Sequence, residues 1–206
     1  MGSMSWTIAA LLGSYHGLNP AMGWLFAAAL GLQERRAGAV VRALPPIVVG
    51  HAASVAVVVA LATGAGQLVP AAALRYGGAA LLLGYAALLL RRRSHPRRVG
   101  MRLGTGGVFA WSVVMASSHG AGLMLFPVLL ALGHGASPAH VHHGAPAVGA
   151  LVLAIHTLAM LVTMTVTALL AFRLSDVGFL RRVWIDTDAV WSVALATSGI
   201  VVLVLT

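Results

Sequence analysis

Six apolar stretches, residues 6–30, 44–63, 71–90, 106–132, 148–172 and 189–205, are each of a length to cross a bilayer, which takes about 20 mostly apolar residues as helix. A chain built this way has few options. In lipid the backbone N–H and C=O groups of a crossing must be satisfied internally, so each stretch is expected to be a helix. The expected fold is an all-α membrane protein with six transmembrane helices. Charged residues make up 8% of the chain, against about 25% in soluble domains. The 206 residues are therefore expected to form a single transmembrane domain, 1–206. No cleavable signal peptide is expected, because the first apolar stretch is too long for one and carries a histidine.

The charges sort by connection. The first connection holds Glu34, Arg35, Arg36 and Arg42. The third holds Arg91, Arg92, Arg93, Arg97, Arg98 and Arg102. The fifth holds Arg173, Arg181 and Arg182 with Asp176, Asp186 and Asp188. The second and fourth hold neither arginine nor acid. The positive-inside rule then places the odd connections in the cytoplasm and both termini outside. Every one of the 13 basic residues is arginine, a mark of GC-rich coding that points to a bacterial inner (cytoplasmic) membrane. The net charge of +9 is a topology signal and not a nucleic-acid footprint. Cysteine is absent, which excludes disulfides and thiolate metal sites.

Two echoes divide the chain into halves. Ser14-Tyr15-His16-Gly17 returns as Ser117-Ser118-His119-Gly120, and His51 in the second stretch is answered by His156 in the fifth. The order is the same in both halves. Three helices per half reverse the direction of the second half, so the expected architecture is an inverted 3+3 repeat. The first repeat spans about 4–90, a basic cytoplasmic loop about 91–105, and the second repeat about 106–206. Transporters of this design place their site near the midplane, at the repeat interface.

Ionisable groups are expensive in lipid and mark functional sites by default. A lone membrane histidine also serves as interhelical hydrogen-bonding glue, but four at repeat-related positions are harder to read that way. Counting residues into each stretch orders them as a ladder, with His51 towards the inside, His16 and His119 central, and His156 towards the outside. Neutral imidazole ligates metals and relays protons. Asn19 and Met22 follow His16 as further candidate ligands. Pro20 and Pro127 are expected to break the first and fourth helices, freeing carbonyls. Gly13, Gly23 and Ala27 read as a packing seam.

The fourth connection carries His134, His140, His142 and His143 within residues 134–143. Such tracts capture metal ions or are plain linkers. Arg75, inside the third stretch, either snorkels to the interface or contacts an anion. No acidic residue lies in a span core, which counts against hard cations that need oxygen ligands.

His16-Gly-Leu-Asn-Pro-Ala-Met-Gly23 resembles the first-helix motif His-x-x-x-Pro-x-His-Gly of the nickel/cobalt transporter group within the LysE-like superfamily. His51-Ala-Ala-Ser-Val resembles that group's second signature, His-Thr-x-Ser-Val. The specific likeness is confined to these two runs. It implies transition-metal movement, with His16 and His51 as metal-site residues. Met22 stands where the group has its second histidine. The softer thioether shifts the expectation from nickel or cobalt towards copper.

The leading expectation is a transporter moving a transition-metal ion (nickel, cobalt, copper or zinc) through a His-lined site in the lipid bilayer. One alternative is an intramembrane metalloenzyme acting on a lipid-soluble substrate. The other, less favoured, is a bis-histidine haem protein.

Overall fold

The structure, a computed structural model, describes residues 2–91, 104–133, 141–174 and 187–205. Among them are eight α-helices and no strand. They are α1 (Gly2–Leu18), α2 (Trp24–Glu34), α3 (Ala37–Leu68), α4 (Ala71–Arg91), α5 (Thr105–Ser118), α6 (Phe126–Gly133), α7 (Val141–Leu174) and α8 (Thr187–Leu205).

Three of them hold stretches long and apolar enough to cross a membrane: Ala37–Ala65, Ala72–Arg91 and Pro146–Leu174. The pair α5–α6, bent by 51°, makes a fourth if it is one crossing, and Ser192–Val204 of α8 is a shorter apolar helix. The first expected span is split between α1 and α2, and the fourth between α5 and α6.

The exterior is apolar, as that of a membrane helix bundle is, and the largely apolar interior holds a few buried polar side chains. Along α7 the row Val152, His156, Met160, Met164 and Ala168 is 0% exposed, whereas Leu158, Val162, Val166 and Leu170 are 51–63% exposed. Ser54, Ser112 and Ser192 are buried with the histidines.

Both breaks use glycine where the backbone turns left-handed, a conformation that costs a Cβ-bearing residue. At the first, Asn19 caps a 3₁₀ turn over Pro20–Met22, and Gly23 (φ 115°) opens α2. At the second, Gly120 (φ 67°) precedes a 3₁₀ turn over Leu123–Leu125. The helices break beside Pro20 and Pro127, as the sequence leads one to expect. Pro20 and Pro127 start the segments after each break, where a helix leaves its first N–H groups unbonded anyway. Orphan carbonyls at the broken ends find side-chain donors, as buried helix ends require. Trp24 Nε1 donates to Leu18 O (2.9 Å), and the Tyr85 hydroxyl of α4 reaches Ser118 O (2.6 Å) and Ser117 O (3.1 Å).

The helices pair across the halves. α1 lies along α7, α5 along α3, α4 along α8, and α3 against α7. The two outer seams are made differently. On α1, Gly13 meets the His156 carbonyl and Ala159, and Gly17 meets the Met160 carbonyl, Thr163 and Met164, so a Cβ at either would collide with α7. On the other side Ser112 Oγ donates to Ile47 O at 2.6 Å and the hydroxyls of Ser54 and Ser117 bond at 2.9 Å. The connection between α2 and α3 is tied by an Arg42–Glu34 ion pair at 2.7 Å.

Overpacking a close seam costs about 1–3 kcal/mol, whereas Gly→Ala at an unobstructed helical position gains about 0.4–1 kcal/mol. Gly17→Val should therefore lower the thermal unfolding midpoint of the purified protein sharply. Gly38→Ala, with open space at its Cβ position, should leave it unchanged or raised. Equal midpoints for Gly17→Val and the parent would show that the seam is not close-packed.

Candidate metal site

His51 and His156 stand near the middles of the 32-residue α3 and the 34-residue α7, the two helices that pack against each other at the centre. His16 is in the last turn of α1, one residue before Gly17 brings that helix onto α7. The three rings meet. Centroid distances are 4.8 Å for His16–His156, 5.3 Å for His16–His51 and 5.8 Å for His51–His156, the last pair nearly parallel at 15°. One nitrogen from each lies within 4.8 Å of the others. All three side chains are buried.

Local bonding sets the lone pairs. His16 Nδ1 donates to Leu12 O one turn back, at 2.7 Å, so the neutral ring carries its lone pair on Nε2. His119 does the same with Met115 O at 2.8 Å, with Ser118 Oγ at 3.3 Å. A ring N–H anchored on a backbone carbonyl is the usual support of a metal-ligating histidine. His51 Nε2 is buried without a hydrogen-bond partner, and the buried His156 ring makes no well-formed hydrogen bond beyond an approach to the Ala9 backbone. Buried polar atoms are seldom left so, and a lone-pair nitrogen without a donor is what a cation satisfies.

Two ligands on one zinc-like ion at 2.0–2.1 Å hold their nitrogens roughly 3.3–3.5 Å apart. The separations of up to 4.8 Å are wider, so the rings would have to close by about an ångström to share one ion.

The ladder expected from the sequence is corrected to a triad. α3 begins at Ala37 and α7 at Val141, each earlier than the stretches 44–63 and 148–172 implied. Both histidines thus stand mid-helix, at one level. His119 is buried, caps the end of α5 and is close enough to His16 to act on it electrostatically, but it is not a member of the three.

The remaining candidates divide. Asn19 accepts the Ala21 N–H at 2.9 Å through Oδ1 and so shapes the break. Met22 is buried in one apolar cluster with Met124, Met160 and Met164. Arg75 is half-buried, donates to the Leu203 carbonyl of α8 and lies against the Tyr76 ring. His134 and His140 lie outside the described residues, and His142 and His143 are in the first turn of α7. Ser112 and Tyr85 were not legible as site supports. The only signal for Ser112 is its place two turns before His119 on the same helix, and for Tyr85 a hydroxyl in the middle of a mostly apolar helix.

Compared with known protein families, with curated proteins and with solved structures, the chain finds no match.

An unsatisfied buried polar atom costs about 1–3 kcal/mol. His156→Leu should therefore leave the metal-free thermal midpoint unchanged or higher, while removing any rise in midpoint on adding metal. A lower metal-free midpoint together with an intact metal-induced rise would show that His156 is packing glue and not a ligand.

Proposed function

We propose that this chain is a small membrane transporter that carries a transition-metal cation through the His16–His51–His156 site. The observation that carries the reading is the convergence of three buried imidazoles, from three helices and both halves, inside a bundle with an apolar exterior. We read the bundle as six crossings in an inverted 3+3 repeat, with α1–α2 and α5–α6 as broken first helices. What supports this is the pairing: α1 with α7 is answered by α5 with α3, while α3–α7 and α4–α8 each pair a helix with its own counterpart. Broken helices that flank a midplane site recur in transporters. The arginine-bearing odd connections support placing both termini outside.

The donors are neutral, and no acidic side chain among the described residues joins the triad. An ion at this site brings its full charge into a weakly polarisable bundle. That desolvation cost rises with the square of the charge. A singly charged soft ion such as Cu(I) is the least costly cargo, and imidazole suits copper, zinc and nickel alike. Imidazolium does not ligate, so binding should weaken as pH falls.

The triad also leaves a coordination position open, as catalytic three-histidine zinc sites do. A metalloenzyme acting on a lipid-soluble substrate is therefore the second reading. A bis-histidine haem is disfavoured, because His16 lies within 5.3 Å of both other rings, where the macrocycle would have to lie.

The test is uptake of Cu(I), Ag(I), Zn(II), Ni(II) and Co(II) into proteoliposomes, with equilibrium binding in parallel. The expected result is uptake of Cu(I) and Ag(I) above the divalent ions, lost in His51→Ala and His156→Ala. Absence of both binding and movement for every ion would overturn the reading. Tight stoichiometric metal without movement would favour the enzyme.

A further inference from the structure

We propose that the site is two overlapping triads sharing His51 and His156, completed in one state by His16 and in the other by His119. The cargo exchanges that third ligand as the bundle alternates. The inference deepens the transporter reading and rests on it and on the repeat.

The repeat pairs His16 with His119 and His51 with His156. Exchanging the halves therefore converts the observed set, His16–His51–His156, into His119–His156–His51. Two members trade places with each other and only the third changes. A pair that maps onto itself belongs on the pseudo-symmetry axis, and the observed contact of α3 with α7 puts His51 and His156 face to face, with parallel rings.

The two exchanging residues are prepared alike. Each donates Nδ1 to the carbonyl four residues back, Leu12 for His16 and Met115 for His119, at 2.7 and 2.8 Å. Each therefore carries its lone pair on Nε2. Each stands at the end of a helix just before a break with a left-handed glycine, Gly23 or Gly120. Each is carried by a helix seamed to the helix of one shared histidine. α1 is seated on the His156 backbone through Gly13. α5 is bonded to α3 on either side of His51, through Ser112–Ile47 and Ser54–Ser117. His119 is buried and within electrostatic reach of His16, yet outside the closed triad. That is where the waiting ligand belongs.

The step is a ligand exchange with no redox change and no net proton transfer. The bond from the metal to His16 Nε2 breaks as the bond to His119 Nε2 forms, and the bonds to His51 and His156 persist. The ion has three imidazoles before and after, so it crosses without a poorly coordinated intermediate. Binding must be favourable enough to admit an ion and exchangeable enough to release it, and two equivalent third ligands supply both.

The experiment uses the full chain and Cu(I) and Ag(I) as probes. It measures binding against a competing chelator and uptake in proteoliposomes, for His16→Ala, His119→Ala, the double variant, His51→Ala and His156→Ala. Gln replacements at positions 16 and 119, which keep a hydrogen-bonding side chain, control for folding, as does helical content by circular dichroism. Each single variant at 16 or 119 should still bind one ion, weakened by no more than about tenfold, while the double variant and those at 51 or 156 lose about a hundredfold or more. Uptake should fall about a hundredfold in each single variant, because each is held in one state. Wild-type binding and uptake in the His119 variants would overturn the exchange and leave the transporter standing. So would complete loss of binding in the His16 variants alone, which would mark a fixed triad. Failure of the wild-type protein to bind or move either ion would overturn both readings.

Discussion

The crossing of α1 over α7 is the constraint from which the site follows. Gly13 and Gly17 let the α1 backbone rest on the carbonyls of His156 and Met160, and without a Cβ at those two positions the helices approach as close as backbone allows. His16 lies between them in sequence and is thereby pressed against His156, with ring centroids 4.8 Å apart. The central packing of α3 on α7 then brings His51 to the same point. In water such a cluster would be held together by its neighbours' hydrophobic burial. In a lipid-facing bundle the apolar exterior gains nothing from association, so close packing and interhelical bonds must do that work. The Ser112 hydroxyl on the Ile47 carbonyl and the Ser54–Ser117 hydroxyl pair supply on the α3–α5 side what glycine supplies on the α1–α7 side.

A site of this kind is under tension with stability. Imidazole nitrogens buried without donors or acceptors are costly, and the bundle keeps such an atom on His51 and a poorly bonded ring on His156. Retaining them makes sense where an intermittent ion satisfies them. The wide spacing of up to 4.8 Å fits the same account. A rigid triangle at ideal coordination distance would hold its ion as a structural site does, whereas one that must contract to bind has a strain that helps release. The absence of carboxylates has the same sense, since an anionic ligand would deepen the well for a divalent ion.

Much of this was legible in the residues. The apolar stretches gave the helices, Pro20 and Pro127 marked the breaks, and the histidines within the stretches gave the candidates His16, His51 and His156. What was not legible was depth. A stretch's hydrophobic boundary is not its helix boundary: α3 starts at Ala37 and α7 at Val141, outside the apolar runs, because short polar and small residues continue a helix at no great cost. That shift turned a ladder into a triad. The helices break beside Pro20 and Pro127 as expected, but the left-handed turns within the breaks belong to Gly23 and Gly120. The partners of the breaks, Trp24 and Tyr85, come from the following helix and from a distant one, and local sequence carries no mark of the latter.

The two breaks are related but not equal, and the difference bears on which state the bundle prefers. The first is held by its own segment: Asn19 accepts the Ala21 N–H and Trp24 caps the Leu18 carbonyl. The second is held from outside, by the Tyr85 hydroxyl of α4 on the carbonyls of Ser117 and Ser118. The proposed exchange would therefore meet different resistance on its two sides. Displacing α1 would keep the bonds of its own break but open the glycine seam on α7. Displacing α5 from α4 would cost the Tyr85 cap on Ser117 and Ser118. Chemically identical ligands are thus mounted on different supports, and the arrangement with His16 in the triad is the one in which the glycine seam and the Tyr85 cap are both intact.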